Sequence, residues 1–188
     1  MRSRRALVLV LLSLSTLLGS ACAGLPGHSP APSPSASTDH ATVVRVVDGD
    51  TVILSFAGGY PERVRLIGID TPETVKPDTP VQCWGPQAST HLKHLLPPGT
   101  QLRVSRDTVL RDKYGRLLLY LWRVSDGLFV NLEIGKDGWG RQLTIPPNTA
   151  HEADFGAAVG HAQAEHLGLW GHCPPSQDDE SSPTTATP

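Results

Sequence analysis

The stretch TVVRVVDGDTVILSF, residues 42–56, places two runs rich in Val, Ile, Leu and Thr on either side of Asp48-Gly49-Asp50. β-Branched residues suit a pleated surface, and Asp-Gly between two such runs signals a hairpin. Outward from it, Ala57-Gly58-Gly59-Tyr60-Pro61 marks a second turn. Residues 63–69 alternate, with Val64, Leu66 and Gly68 facing one way and Arg65 and Ile67 the other, until Thr71-Pro72 ends the strand. A helix is predicted after Gly85, with Pro86 at its first position, where a missing amide costs nothing. Ala88, Leu92, Leu95 and Leu96 give it an apolar face, and Pro97-Pro98-Gly99 stops it. Residues 102–108 and 117–124 read as two more strands, with Asp126-Gly127 as a turn after them. Residues 130–137 form a short helix ended by Gly138, and residues 148–169 a longer, Ala-rich one. The order β-β-β-α-β-β-α-α, with short strands and many turns, predicts an α+β fold: a small closed barrel with helices packed on it.

The barrel domain occupies residues 40–173 of a 188-residue chain. Arg2, Arg4 and Arg5 precede an apolar run over residues 6–18 and then small residues, the three parts of an export signal over residues 1–24. That run is short for a membrane span, which needs about 20 apolar residues. Two processing readings fit. Gly19-Ser20-Ala21-Cys22 resembles a bacterial lipobox with Cys22 as the lipidated residue, though Gly19 stands where a Leu is usual; Ala21-Cys22-Ala23 also fits plain A-x-A cleavage. Both take the protein out of the cytoplasm, anchored in a membrane by lipid or secreted. Residues 25–39 are Pro/Ser-rich and read as a flexible linker, and residues 174–188 as a disordered acidic tail. With Cys22 set aside, Cys83 and Cys173 remain, and an isolated pair in an oxidising compartment is expected to form a disulfide. A net charge of −2 gives no global basic field, and the composition excludes collagen, coiled coil, a multi-span membrane protein and a knottin-like scaffold.

Charged residues crowd into three segments: Asp48-Gly49-Asp50-Thr51, then Arg65 through Asp70-Thr71-Pro72-Glu73-Thr74, then Asp112-Lys113-Tyr114-Gly115-Arg116. Each alone reads as a solvated turn. Together they form a coherent set. Asp50, Asp70 and a backbone carbonyl are hard oxygen ligands that suit Ca²⁺. Arg65 and Arg116 offer planar forks matching phosphate oxygens. Glu73 is a further carboxylate able to orient or deprotonate water. Metal, cationic clamp and base are the parts a phosphodiester hydrolase needs.

These three segments in this order, with Gly85-Pro86-x-Ala88, Val130-Asn131, Pro147-Asn148, His151-Glu152 and a closing Leu167-x-Leu169-Trp170, resemble the staphylococcal nuclease family over about residues 41–170. The resemblance implies a five-stranded oligonucleotide/oligosaccharide-binding barrel with three helices. It also implies Ca²⁺-dependent cleavage of DNA and RNA at the 5′ P–O bond, leaving 3′-phosphates. Asp50 and Asp70 look like the carboxylate ligands of Ca²⁺ and Thr71 like the carbonyl ligand. Asp48 matches a nearby outer carboxylate, Glu73 the residue that orders or deprotonates water, and Arg65 and Arg116 the phosphate clamp. Lys113 and Tyr114 match residues holding a terminal phosphate. Leu143 and Ile145 depart from the pattern, standing where the type member has two tyrosines against the base. The near-neutral domain also departs from a strongly basic type member, which implies fewer phosphate contacts and a shallower salt dependence. A monomer is expected.

Two rivals stand beside this reading. A non-catalytic binding module on the same barrel would have no reason to keep Arg65, Asp70, Glu73 and Arg116 together with Asp50. A zinc hydrolase finds little support in the eight histidines: His151-Glu152 is followed by Phe155 where an H-E-x-x-H helix needs its second His. Solvent-facing histidines, four tryptophans in packing roles and an Asn131 buried and satisfied by backbone are the expectations for the remaining polar and aromatic residues.

Overall fold

The computed structural model describes residues 39–74 and 80–174. The export signal, Cys22, linker residues 25–38 and tail residues 175–188 lie outside the described residues. Five strands close a barrel: β1 (Asp39–Asp48), β2 (Thr51–Phe56), β3 (Glu62–Leu66), β5 (Gln101–Ser105) and β6 (Leu117–Arg123), in the order β1-β2-β3-β6-β5. Every seam is antiparallel except β3–β6, where Val64 faces Leu117 and Leu66 faces Leu119 in parallel register. Strand alternation sends Val43, Val52, Leu54, Val64, Leu102, Val104, Leu119 and Leu121 inward, where each is almost wholly buried. Helix α1 (Gly85–Leu95), with Leu92 and Leu96, and helix α2 (Val130–Lys136), with Val130 and Ile134, complete this core. A second cluster of Ile67, Tyr120 and Phe155 joins the barrel to helix α3 (Glu152–Ala164).

The predicted strand over 63–69 is two strands. It breaks after Leu66, and β4 (Gly68–Asp70) leaves the barrel to pair with β7 (Arg141–Leu143). Gly68 makes the break: its φ is +86°, and a Cβ there would sit 2.1 Å from the Phe155 ring. Both faces of this stretch are covered, since Arg65 and Ile67 are buried as well as Val64 and Leu66. Strand β1 begins earlier than its apolar run, because Asp39 pairs with Val104 across the closing seam. The predicted helix over 148–169 is also divided, into α3 and a short α4 (Leu169–His172), with positive-φ residues His166 and Gly168 between them.

Asn131 behaves as expected. It is fully buried, its Oδ1 accepts from the Leu121 amide at 2.9 Å, and its Nδ2 donates to the carbonyls of Ile67 (3.0 Å) and Leu119 (3.1 Å). One side chain thus stitches α2 to β6 and to the β3–β4 break. Two histidines are half-buried against rings: His91 stacks on Trp139 at 4.4 Å and His151 meets Tyr120 edge-on at 4.7 Å, while His172 is exposed as expected but stacks on Trp84 at 4.4 Å. Cys83 and Cys173 are joined as a disulfide, with Cα atoms 5.9 Å apart, tying the residue pair before α1 to the end of α4. Closing a loop with a sequence separation of 90 contributes about 3–5 kcal/mol on the chain-entropy model.

Replacing Asn131 with Leu strips partners from one buried amide and two buried carbonyls, which costs about 2–5 kcal/mol. The expected drop in melting temperature is roughly 10 °C or more for a domain of this size. Thermal unfolding followed by circular dichroism measures it, and an unchanged midpoint contradicts this reading of Asn131.

Candidate active site

Barrel register brings the first two charged segments together. Thr51 on β2 lies directly opposite Arg65 on β3, and the Asp50 carbonyl accepts from the Leu66 amide at 2.9 Å. The Asp48–Asp50 turn therefore sits beside Arg65. The β3–β4 break then turns the chain so that Asp70 and Thr71 come back to the same place. The Asp50 carboxylate accepts three hydrogen bonds, from the Thr51 hydroxyl at 2.9 Å, the Thr71 amide at 2.9 Å and the Thr71 hydroxyl at 3.0 Å, and forms an ion pair with Arg65 at 3.2 Å.

Arg65 is the hub. Its Nη1 donates to the carbonyls of Leu66 (2.7 Å) and Ile69 (2.6 Å), and its Nη2 lies 2.6 Å from Asp70 Oδ1 as well as beside Asp50. The residue is only 9% exposed, so this charge is held by its partners and not by water. Asp70, by contrast, keeps half of its side chain in solvent. The protein packed around its carboxyl raises its pKa above the ordinary range, against the pull of Arg65 and with the push of Asp50.

Asp48 and Glu73 close the other side. Asp48 accepts from the Thr74 hydroxyl at 2.6 Å and the Gly49 amide at 2.8 Å. Burial raises the Asp48 pKa first, those two bonds lower it, and a hydrogen bond with Glu73 and the charge of Asp50 raise it further. Glu73 Oε1 accepts from the Thr74 amide at 3.0 Å. Two carboxylates, Asp50 and Asp70, thus pair with the guanidinium of Arg65, and Asp48 and Glu73 form a neighbouring acidic pair that Asp50 also faces.

The third segment stands apart in a loop leading into β6. Asp112 organises it, accepting from the amides of Tyr114 and Arg116 (both 2.9 Å) and from Arg116 Nε at 2.6 Å. Burial would raise the Asp112 pKa, but the bonds from Arg116 outweigh it and hold the carboxyl low. Among the described residues the terminal nitrogens of Arg116 carry no hydrogen bond. Tyr114 is 71% exposed, with Lys113 Nζ 5.1 Å and Arg116 Cζ 5.4 Å from its ring. Arg116 directly precedes Leu117, the partner of Val64, so strand alternation carries it on the outer side of the β3–β6 seam, as Arg65 is.

Two residues fix this loop: Asn148, which the sequence marks only as part of Pro147-Asn148, and Asp107, which the sequence did not single out. Asn148 bonds the Val109 backbone at both ends, with Oδ1 accepting at 2.7 Å and Nδ2 donating at 2.9 Å. Asp107 accepts from the Tyr120 hydroxyl at 3.0 Å and the Ala150 amide at 3.1 Å. Both brace the 107–116 loop against residues 144–150, where Leu143 and Ile145 stand exposed nearby. The Pro147-Asn148 pair was visible in the sequence, but its partner lies 39 residues away.

No group of three or more His, Cys, Asp or Glu side chains is arranged to hold a metal among the described residues. The candidate set is instead two carboxylates and a main-chain carbonyl, Asp50, Asp70 and Thr71. Oxygen-only donors and a surplus of negative charge around Arg65 fit a hard divalent cation that fills its remaining positions with water or phosphate oxygen. Barrel and site together define a class: a hydrolase of phosphodiester bonds, built as a small nuclease domain. The family model described as staphylococcal nuclease homologue matches residues 63–172. The thermonuclease of Staphylococcus intermedius is 44% identical over 128 residues, covering 68% of this chain and 74% of that protein. The thermonuclease of Staphylococcus hyicus is 38% identical over 128 residues, covering 68% and 73%. Endonuclease YncB of Bacillus subtilis is 37% identical over 131 residues, covering 69% and 60%. The chain belongs to the staphylococcal nuclease family.

The loop brace makes a pH prediction. Burial pushes the Asp107 carboxyl up, but bonds from the Ala150 and Thr108 amides and the Tyr120 hydroxyl override it, so its folded pKa lies below its ordinary value. Such a group stabilises the fold above the ordinary carboxylate range and loses that contribution as pH falls through the folded value. Asp107→Asn is expected to lower the melting temperature at neutral pH, with the gap to the parent narrowing on acidification to about pH 3. Melts of both proteins at the two pH values check it, and a gap independent of pH contradicts it.

Proposed function

We propose that this protein is an exported, Ca²⁺-dependent nuclease that hydrolyses DNA and RNA at the 5′ P–O bond, leaving 3′-phosphate ends. The observation that carries the reading is Arg65 held between Asp50 and Asp70, with Glu73 on the neighbouring carboxylate cluster. Its relatives' names, thermonuclease and endonuclease, support the same chemistry. Asp50, Asp70 and the Thr71 carbonyl would hold the cation. When bound, Ca²⁺ supplies a Lewis acid that polarises the phosphoryl group. Glu73 orders the attacking water and accepts its proton. Arg65 and Arg116 meet the equatorial oxygens, where charge grows in the transition state. Arg116 suits this role because Asp112 fixes its Nε edge and leaves the terminal nitrogens for phosphate. Lys113 and Tyr114 flank it and hold a terminal phosphate.

Leu143 and Ile145 offer no ring for a base. Aromatic stacking contributes about 1–3 kcal/mol per base, so nucleotide affinity is weaker while cleavage is retained. Export is supported by the N-terminal signal pattern and by a disulfide of a kind that persists in oxidising compartments. Cys22 is proposed as the lipid anchor or, after plain cleavage, the chain is released as a soluble monomer.

The decisive assay is cleavage of single-stranded DNA by the purified protein, with Ca²⁺ or with chelator. Activity is expected only with the cation, and Glu73→Gln and Arg116→Ala should each lose on the order of 10²–10³ in kcat. Arg65→Ala is less diagnostic, since removing one partner of a buried ion pair costs about 3–5 kcal/mol of stability as well. Leu143→Tyr should tighten binding of a nucleoside bisphosphate inhibitor by roughly fivefold or more. DNA left intact with Ca²⁺ present overturns the proposal.

A further inference from the structure

The disulfide has surroundings that exceed those of a staple. Glu73 and Gln82 hold each other by two reciprocal bonds: the Glu73 amide donates to Gln82 Oε1 at 2.8 Å, and the Gln82 amide donates to the Glu73 carbonyl at 3.0 Å. Cys83 follows Gln82 directly, and the Gln82 carbonyl accepts from the Gly85 amide at 3.1 Å. Gly85 is pressed against the same stretch. A Cβ there would lie 2.7 Å from Thr74 Cγ2 and 3.0 Å from the carbonyl oxygens of both Pro72 and Glu73. Between them Trp84, at φ +69°, stacks on His172, the residue just before Cys173. The backbone of Glu73 is therefore moored to residues 82–85, and these are fastened to α4 by one covalent bond and one ring stack.

Helix α1 and the residues just before it are held by different means. Leu92 and Leu96 are wholly buried in the barrel core, so the body of the helix does not need the bridge. Val81, Gln82 and Cys83 are exposed, and no burial of apolar surface keeps them in place. Gln82 has no packing reason to sit where it does. Its amide oxygen is spent on the backbone of one residue, and that residue is Glu73.

We infer that Gln82 is a positioning residue for Glu73, and that the Cys83–Cys173 bridge sets turnover by keeping Gln82 in its place. The inference rests on the reading of Glu73 as the residue that orders water. Displacing a catalytic group by about 1 Å costs as much as 10²-fold in rate, so a loosened mooring is felt in kcat before it is felt in binding. The chemistry of the switch is thiol–disulfide exchange. A dithiol such as dithiothreitol gives two electrons and two protons to the S–S bond, leaving two protein thiols and a cyclic disulfide of the reagent. The reverse reaction needs a disulfide donor, so the enzyme reaches full turnover only where an oxidising thiol–disulfide couple forms the bridge.

The test measures kcat and KM for single-stranded DNA with Ca²⁺, using the full chain with the bridge intact and after dithiothreitol. Assays run at a temperature where circular dichroism shows the reduced protein folded. Reduction is expected to lower kcat about tenfold and to change KM by less than about twofold. Gln82→Met in the bridged protein, which keeps length and loses the acceptor, should reproduce the fall with a melting temperature within about 2 °C of the parent. In a Glu73→Gln background neither reduction nor Gln82→Met should lower the residual rate further. Parent kcat in folded reduced protein or in Gln82→Met overturns the inference, as does an undiminished effect in the Glu73→Gln background. If the reduced protein unfolds, the Gln82→Met arm alone decides. Should Glu73→Gln itself keep the parent kcat, the role given to Glu73 fails, and that result is distinct from a slow Glu73→Gln enzyme indifferent to Gln82.

Discussion

A buried guanidinium between two carboxylates is the constraint on which the site depends. Arg65 can leave water only because Asp50, Asp70 and two backbone carbonyls replace its hydration. Those carbonyls belong to Leu66 and Ile69, on either side of the strand break, so the charge and the break require each other. If residues 66–69 continued as a regular strand, the Ile69 carbonyl would point into a sheet ladder and Asp70 would travel away with it. The fold bends where the charge needs partners.

That coupling explains what could be read from the sequence and what could not. The hairpin around Asp48-Gly49-Asp50 was legible because its signal is local: two β-rich runs and a turn. The five barrel strands, the α1 and α2 helices and the buried Asn131 followed from similar short-range patterns. The β4–β7 ribbon was not legible, since three residues carry no period and their partner lies some 70 residues on. The division of the last helix was hidden in the same way. Its apolar residues continue to Leu169, while His166 and Gly168 take positive φ and Gly168 packs close against Gly138, a contact far from it in sequence. Histidines at 91 and 151 looked like surface residues because nothing in their neighbourhood announces the rings they meet. The identities of the charged site residues were visible in three motifs. The use of Arg65 as a brace for the carboxylates was not, and neither were the two bonds that join Glu73 to Gln82.

The site also separates two tasks. Charge handling is concentrated in β-strand ends and in turns anchored by main-chain bonds, so it is stiff. Grip on a base would fall to residues 143–145 and the 107–116 loop, which carry exposed aliphatic side chains and one exposed ring, Tyr114. The braces at Asp107 and Asn148 keep that second surface at a fixed distance from the barrel without giving it aromatic character. On the proposed reading, the chemistry and the hold on a nucleobase fall to different parts of the chain, and they could vary independently.

Barrel closure has one more effect, on behaviour in crowded surroundings. With β1 bonded to both β2 and β5, each barrel strand has its ladder partners within the chain. Among the described residues the open sheet is the β4–β7 ribbon, three residues per strand, with Asp70 and Arg141 at one end of it. Short, charged margins of this sort give an intruding strand almost nothing to extend. At high local concentration the described residues thus offer a neighbouring chain little sheet edge to extend.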